Sequence, residues 1–157
     1  MKWVLAIAVF LFCTLEGRRR RNLLKNRVTL LEELIIMLNN FSIEIRCRSL
    51  TLDELLSSEN GKFARLVQQK KSEYSDIIAA WAAACEELPK NRERVLLEEL
   101  GRSLGKSDKS GELSLLEMYI AQFSVLKDEA ESGYRKKGEA FAKIGMLCGA
   151  AAAVLII

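Results

Sequence analysis

The sequence contains no histidine and only one proline among its 157 residues. Histidine is the usual general base near neutral pH, and it completes many nucleophilic pairs and zinc sites. Its absence removes those classes of active site. A single proline, with only nine glycines, leaves long stretches in which nothing interrupts a helix. Strict alternation of apolar and polar residues is not sustained, so strands are not expected and the chain is predicted to be all-α.

Cysteine is scarce as well, with four residues that form no CxxC pair. Two of them, Cys13 and Cys148, lie within apolar end segments. A disulfide framework or a cysteine zinc site is therefore not expected, and a reducing, cytosolic environment is the simpler context. The adjacent glutamate pairs diverge around a helix, which argues against an acid–base dyad. We expect no catalytic residue, no cofactor and no metal, and therefore no enzyme.

Apolar runs and basic clusters mark both ends of the chain. Residues Trp3–Leu15 are apolar and precede four arginines, and a second basic group precedes the apolar run 141–157. Because positive charge stays on the cytoplasmic side of a membrane, both clusters predict a cytoplasmic domain between two membrane segments. These topology-setting residues are Arg18, Arg19, Arg20, Arg21, Arg135, Lys136 and Lys137.

The N-terminal apolar run has about 13 residues, fewer than the ~20 of a comfortable spanning helix. A signal peptide is the alternative, but it would carry its positive charge before the apolar run, where only Lys2 stands. We predict an uncleaved membrane anchor over residues 1–17, a cytoplasmic helical bundle over 18–140 and a C-terminal transmembrane segment over 141–157. Whether Trp3–Leu15 fully spans the bilayer is left open.

Two long helices are expected to form an antiparallel hairpin that continues into the membrane segments. The first, Arg18–Arg46, carries apolar residues at three- and four-residue spacing from Leu24 to Ile45. The second, Glu112–Ile157, carries a similar stripe that begins at Leu116. Apolar faces of this width are typical of helices packed in a bundle.

Four shorter helices are expected between the two long ones. Thr51 and Glu54 form a capping-box pattern that begins the first of them, which is expected to end near Leu56. The others are predicted over Lys62–Lys70, Ser75–Leu88 and Arg92–Leu104. The residues expected to face inward on the last two are Ile78, Trp81 and Cys85, and then Val95, Leu96, Leu100 and Leu104.

Two glycine-containing segments need separate interpretations. Gly101–Ser107 is similar to a phosphate-binding loop, but three rather than four residues separate its glycines and it follows a helix. We expect Gly105 to end one helix and Asp108 or Ser110 to cap the next. Small residues in the C-terminal run predict close packing of membrane helices, or reflect only the abundance of small residues there; they are Gly145, Gly149 and Ala153.

Three segments occur in the order of a known family. Leu30–Leu34 leads into Glu44-Ile45, the segment Ser49–Glu54 follows, and Leu100–Asp108 is similar to a pattern LGxxLGxxD. With the two terminal apolar runs, these features resemble the stage III sporulation protein AB family of endospore-forming bacteria over essentially the whole chain. Leu52 departs from a common family proline, and Glu112 from a glutamine.

The resemblance implies a platform in the mother-cell membrane around the forespore, similar to inner-membrane platform proteins of type II secretion and type IV pilus machines. It implies two kinds of partner, a secretion-type ATPase (stage III sporulation protein AA) and the other stage III sporulation A proteins. Our hypothesis is a non-enzymatic component of a sporulation-specific, secretion-like channel complex that docks this ATPase. The alternative is a membrane-tethered helical adaptor or regulator unrelated to secretion. Self-association is left open, and neither nucleic acid nor a small-molecule substrate is expected.

Overall fold

The computed structural model describes residues 2–48 and 51–138, together with 140, 143, 144, 147 and 151; in the first helix, side chains are described from residue 8 onward, except 9, 10 and 13. These residues form six α-helices and one π-helix and contain no strand, which confirms the all-α prediction. The helices are α1 (Lys2–Arg48), α2 (Leu52–Ser58), α3 (Lys62–Lys71), α4 (Ile77–Glu86), α5 (Arg92–Ser103) and α6 (Lys109–Gly133), and the π-helix spans Tyr134–Gly138.

The chain divides into two compact units. The first unit comprises Met1–Thr29 and Asp128–Ile157, and the second comprises Leu30–Lys127. The second unit therefore contains the end of α1, the four short helices and most of α6.

Within the second unit, α1 and α6 run antiparallel, as the sequence predicts. Lys127 Nζ lies 3.7 Å from Glu32 Oε1. Further along α1, the Arg46 guanidinium lies 3.0 Å from Glu117 Oε1, and the Arg46 carbonyl accepts a hydrogen bond from Lys109 Nζ at 2.7 Å. Residues later in α1 therefore contact residues earlier in α6, as in an antiparallel pair.

The inward face of α1 in the second unit combines both apolar stripes of the sequence. Residues three and four apart lie on one face of a helix, and each buried aliphatic or aromatic side chain contributes about 1.5–3 kcal/mol by leaving water. Ser42 occupies the one polar position, and its buried hydroxyl donates to the Leu38 carbonyl at 3.0 Å. The buried apolar residues of this face are Leu31, Leu34, Met37, Leu38, Phe41 and Ile45.

The predicted capping box of α2 is present. The Thr51 backbone N–H donates to Glu54 Oε2 at 2.8 Å, and the Glu54 backbone N–H donates to Thr51 Oγ1 at 3.4 Å. The backbone bond from Thr51, followed by its side-chain bond, lowers the pKa of the Glu54 carboxyl. The helix continues to Ser58, two residues beyond the predicted end.

The inward faces of α4 and α5 differ in part from the prediction. Trp81 and Cys85 are buried as expected. The predicted inward positions of Ile78 and Val95 are wrong, because these side chains are 38% and 54% exposed. On α4 the buried face consists of Ala80, Trp81, Ala84 and Cys85. The two small alanines allow a neighbouring helix to approach closely. On α5 the buried face follows Leu97, Leu100 and Gly101, and Val95 lies off that face.

The helix after the glycine turn begins at Lys109, three residues before the predicted start, and its π-helical turn at Tyr134–Gly138 has no counterpart in the prediction. Among the residues that the structure describes, no helix is both long enough and apolar enough to cross a membrane. Most of the run 141–157 lies outside the described residues. The two terminal membrane segments therefore stay predictions.

Candidate functional site

The glycine turn between α5 and α6 is organised around one carboxylate. Three consecutive backbone N–H groups, of Gly105, Lys106 and Ser107, donate to Glu112 Oε1 at 2.9, 3.1 and 3.1 Å. Gly105 has a φ of +78°, a left-handed conformation that costs any residue with a Cβ about 1–2 kcal/mol. This conformation turns the amides inward, and the largely buried Glu112 side chain satisfies all three.

Asp108 caps the start of α6, as the sequence predicts. Its Oδ1 accepts a hydrogen bond from the Gly111 N–H at 3.1 Å, and its Oδ2 accepts from the Ser110 hydroxyl at 2.8 Å. These bonds, the one from Ser110 first, lower the pKa of the Asp108 carboxyl. A negative charge also interacts favourably with the positive end of a helix. Ser110, the other predicted cap, lies inside the helix and supports Asp108.

Gly101 allows α5 to lie directly against Trp81. A Cβ built on Gly101 would lie 2.4 Å from Trp81 Cδ1 and 2.5 Å from its Nε1, so no side chain fits there. The indole N–H donates to the Leu97 carbonyl at 2.8 Å. Trp81 also meets Phe63 in a T-shaped pair with centroids 4.9 Å apart. The first glycine of the motif is thus a packing site for the largest buried side chain.

These contacts explain the likeness of this segment to a phosphate-binding loop. A phosphate would need the amides of Gly105, Lys106 and Ser107, and in this structure those amides bind the carboxylate of Glu112. The motif therefore ends one helix, begins the next and holds α5 against Trp81. The prediction that this segment ends one helix and caps the next is confirmed.

The two basic segments meet within the first unit. The Arg21 guanidinium carbon lies 5.8 Å from the centroid of the Tyr134 ring, a cation–π distance. A Cβ built on Gly138 would lie 3.5 Å from Arg21 Cγ and 3.2 Å from Tyr134 Cδ2. The structure therefore brings together segments more than 110 residues apart. All seven residues of the predicted topology-setting clusters are exposed: Arg18, Arg19, Arg20, Arg21, Arg135, Lys136 and Lys137.

A separate exposed stripe runs along α1 in the second unit. Ile36 and Ile43 are 54% and 58% exposed and lie two turns apart, so they share a face. Glu32 and Arg46 flank them and form ion pairs to α6. This face, defined here as the α1 stripe, presents two aliphatic side chains to solvent between charged residues.

The buried thiol of Cys85 is not an activated nucleophile. Cys85 is fully buried, and this burial, followed by the negative charge of Glu98, raises the pKa of its thiol to about 12. It stays protonated near neutral pH, whereas reactive cysteines have lowered pKa values. Cys47 is an exposed free cysteine on α1.

Sequence reasoning missed two parts of these arrangements. Glu112 was noted only as a departure from a family glutamine, although a turn with inward amides needs an acceptor nearby. Tyr134 falls in the apolar stripe that begins at Leu116, although an aromatic ring beside basic residues is also a cation–π candidate. The predicted small-residue packing positions Gly145, Gly149 and Ala153 lie outside the described residues.

The chain matches the family model described as stage III sporulation protein AB over residues 2–157. Neither a curated protein nor a solved structure gives a significant match. The family match covers both units and the glycine turn. The chain therefore belongs to the stage III sporulation protein AB family, and this membership implies a role in stage III of sporulation.

Proposed function

We propose that the protein is a non-enzymatic platform, anchored in the mother-cell membrane around the forespore, that docks a cytoplasmic secretion-type ATPase within a secretion-like channel complex. The observation that carries the proposal is the family match over residues 2–157. The family resembles platform proteins of type II secretion and type IV pilus machines, whose ATPase partners act from the cytoplasm. Within the proposal, stage III sporulation protein AA is the ATPase.

Exposed apolar side chains near the N-terminus support membrane anchoring. Leu11, Phe12 and Leu15 are 52%, 71% and 62% exposed and immediately precede the four arginines. Large apolar side chains exposed at this density mark contact with a partner or a membrane. Because the adjacent arginines favour the cytoplasmic side, the second unit lies in the cytoplasm in this proposal.

The α1 stripe supports docking of a protein. Ile36 and Ile43 offer an aliphatic surface, and the ion pairs that flank them hold α1 against α6. Protein interfaces have an apolar centre within a polar rim, and in this proposal the two isoleucines supply that centre and the flanking charges supply the rim. A helical platform that transmits motion from an ATPase needs such a contact on a rigid part of the bundle.

Co-purification of the full-length, detergent-extracted protein with the sporulation ATPase tests the proposal. Replacing Ile36→Gln together with Ile43→Gln keeps good helix formers on α1 while removing the aliphatic surface. We expect the captured ATPase to fall by roughly tenfold or more, as loss of interface anchors does. The matched control is Val95→Gln on α5, since Val95 has the same 54% exposure as Ile36 and should leave capture unchanged.

Capture by wild type and by V95Q, but not by the double variant, supports docking at the α1 stripe. Equal capture by all three proteins would show that the ATPase docks at a surface other than the α1 stripe. No capture by wild type, with the ATPase folded, would favour the adaptor or regulator unrelated to secretion. A Leu34→Asp variant, which places a charge at a 1% exposed core position, provides the disrupted-bundle reference.

A further inference from the structure

We propose that the two basic segments of the first unit form one binding site for the headgroups of anionic phospholipids. The site, called the basic girdle here, consists of Arg18, Arg19, Arg20, Arg21, Arg135, Lys136 and Lys137. The proposal rests on the membrane attachment of the proposed function. It adds that the girdle selects lipid by headgroup charge and that both segments act together.

Direct contacts join the two halves of the girdle. The Arg21 guanidinium carbon lies 5.8 Å from the centroid of the Tyr134 ring, and Arg135 is the next residue along the chain. Gly138 is buried, and a Cβ built on it would lie 3.2 Å from Tyr134 Cδ2, which is tight, and 3.5 Å from Arg21 Cγ, which is ordinary van der Waals contact. The cation–π contact and the close approach at Gly138 place the two basic segments side by side, so a bound lipid meets both.

The backbone of the second half is unusual at this point. Tyr134–Gly138 is a π-helical turn, a rare conformation that is found frequently at functional sites. Within the turn, Arg135, Lys136 and Lys137 are all exposed although they are consecutive, and Gly138 takes the inward position. The turn thus presents three cations to solvent without burying any of them.

Positive charge is concentrated in this part of the chain. Segments 16–27 and 134–143 contain ten lysines and arginines but only two glutamates, a net charge of +8. Because the whole protein carries +3, the remaining residues carry a net charge of −5. Each lysine or arginine near an anionic membrane surface contributes about 1 kcal/mol to binding. Several together suffice for strong selection by charge.

The shape of the girdle and its neighbours favour a bilayer over nucleic acid. Four consecutive arginines are spaced about 100° apart around α1, so they point in all directions, as headgroups around a membrane helix require. A nucleic acid would contact one face. Exposed apolar residues occur on both segments of the same unit, on the terminal side of each basic cluster: Leu11, Phe12, Leu15, Ile144 and Leu147.

The test measures which lipids remain bound to the full-length protein. Protein extracted in neutral detergent is incubated with equimolar phosphatidylglycerol and phosphatidylcholine, and retained lipid is counted by native mass spectrometry. We expect phosphatidylglycerol to be retained in roughly tenfold or greater excess. Inorganic phosphate and a short DNA duplex, added separately at charge equal to the lipid, should not displace it.

Two variants test the composite nature of the girdle. The triple variant R135Q/K136Q/K137Q removes one half, and Tyr134→Leu removes the cation–π contact while keeping a bulky apolar side chain. The triple variant should lose most of the preference for phosphatidylglycerol, and Y134L should lose part of it with all charges present. The control R65Q/K90Q/R102Q removes the same charge from exposed positions of the second unit and should keep the preference.

Each contrary outcome overturns the proposal in a distinct way. Equal retention of both lipids by wild type would leave only apolar anchoring, with no selection by charge. Displacement by inorganic phosphate would identify a site for free anions, and displacement by the duplex would identify a nucleic-acid site. If the control triple variant lost the preference for phosphatidylglycerol equally, net charge rather than the girdle would explain the preference. None of these results depends on ATPase capture, so failure of the girdle and failure of the docking proposal are distinguishable.

Discussion

Gly101 allows α5 to approach α4 closely, because it has no side chain where α5 meets Trp81. The position of its missing Cβ is already occupied by the Trp81 indole, 2.4 Å from Cδ1. We predict that Gly101→Ala lowers the free energy of unfolding by about 1–3 kcal/mol, because the added methyl must displace a packed ring and strain its hydrogen bond to Leu97. Urea unfolding of the full-length protein in mild detergent, followed by circular dichroism, measures the loss.

The control for this prediction is Gly133→Ala at the end of α6. A Cβ at Gly133 would meet nothing within 4 Å, and alanine is favoured over glycine in helices by about 1 kcal/mol. Gly133→Ala should therefore be neutral or stabilising. Equal behaviour of the two variants would contradict the steric role assigned to Gly101 and leave helix propensity as the common cause.

At the scale of single residues, the sequence predicts local chemistry well and distant contacts poorly. Thr51, Asp108 and Gly105 act on backbone groups within a few positions, so spacing alone identifies them. The contact of Gly101 with Trp81 joins two different helices, and no periodicity within either one encodes it. The contact of Arg21 with Tyr134 also joins distant segments, so no local pattern predicts it.

The turn between α5 and α6 depends on Glu112 to join two elements. Its carboxylate accepts from three amides of the preceding turn, and hydrogen bonds to a charged group contribute about 1.5–3 kcal/mol. We predict that Glu112→Ala destabilises the full-length protein by about that amount. Glu112→Gln keeps one carbonyl oxygen as acceptor and should cost less, which agrees with the glutamine that the resemblance led us to expect here. Thermal unfolding in detergent distinguishes the three proteins.

An exposed glutamate provides the matched control for this prediction. Glu99→Ala on α5 makes the same chemical change at the surface and is expected to shift the free energy of unfolding by less than about 0.5 kcal/mol. If E112A and E99A were equally stable, the amides of Gly105, Lys106 and Ser107 would have another acceptor, and the carboxylate would not organise the turn.

At the scale of elements, boundaries proved more predictable than inward faces. Capping signals placed the start of α2 correctly, and α3 begins at the predicted Lys62. On α4 the alanines leave several faces nearly equal in hydropathy, so pattern alone favoured Ile78 over the buried Ala80 and Ala84. Which face turns inward depends on the neighbouring helix. The apolar run at Val95–Leu97 was ambiguous for the same reason, and Leu97 rather than Val95 is buried.

At the scale of the whole molecule, charge and apolar surface are unevenly distributed. The basic girdle and the most exposed apolar residues belong to the first unit, and the net negative remainder includes the second unit. The sequence shows this segregation directly, since it depends on composition along the chain. Segregation of this kind is expected of a protein whose ends contact lipid and whose middle contacts other proteins.

The orientation of the second unit can be tested with the protein's own cysteines. Cys47 is exposed on α1, whereas burial raises the pKa of the Cys85 thiol to about 12 and leaves it inaccessible. In a Cys13→Ser/Cys148→Ser background, a charged, membrane-impermeant maleimide should therefore report on Cys47 alone. If both basic clusters hold the unit in the cytoplasm, inside-out vesicles will be labelled and intact protoplasts will not. Denaturation should then release Cys85 as the internal control, and labelling of intact protoplasts would place the unit outside and contradict docking to a cytoplasmic ATPase.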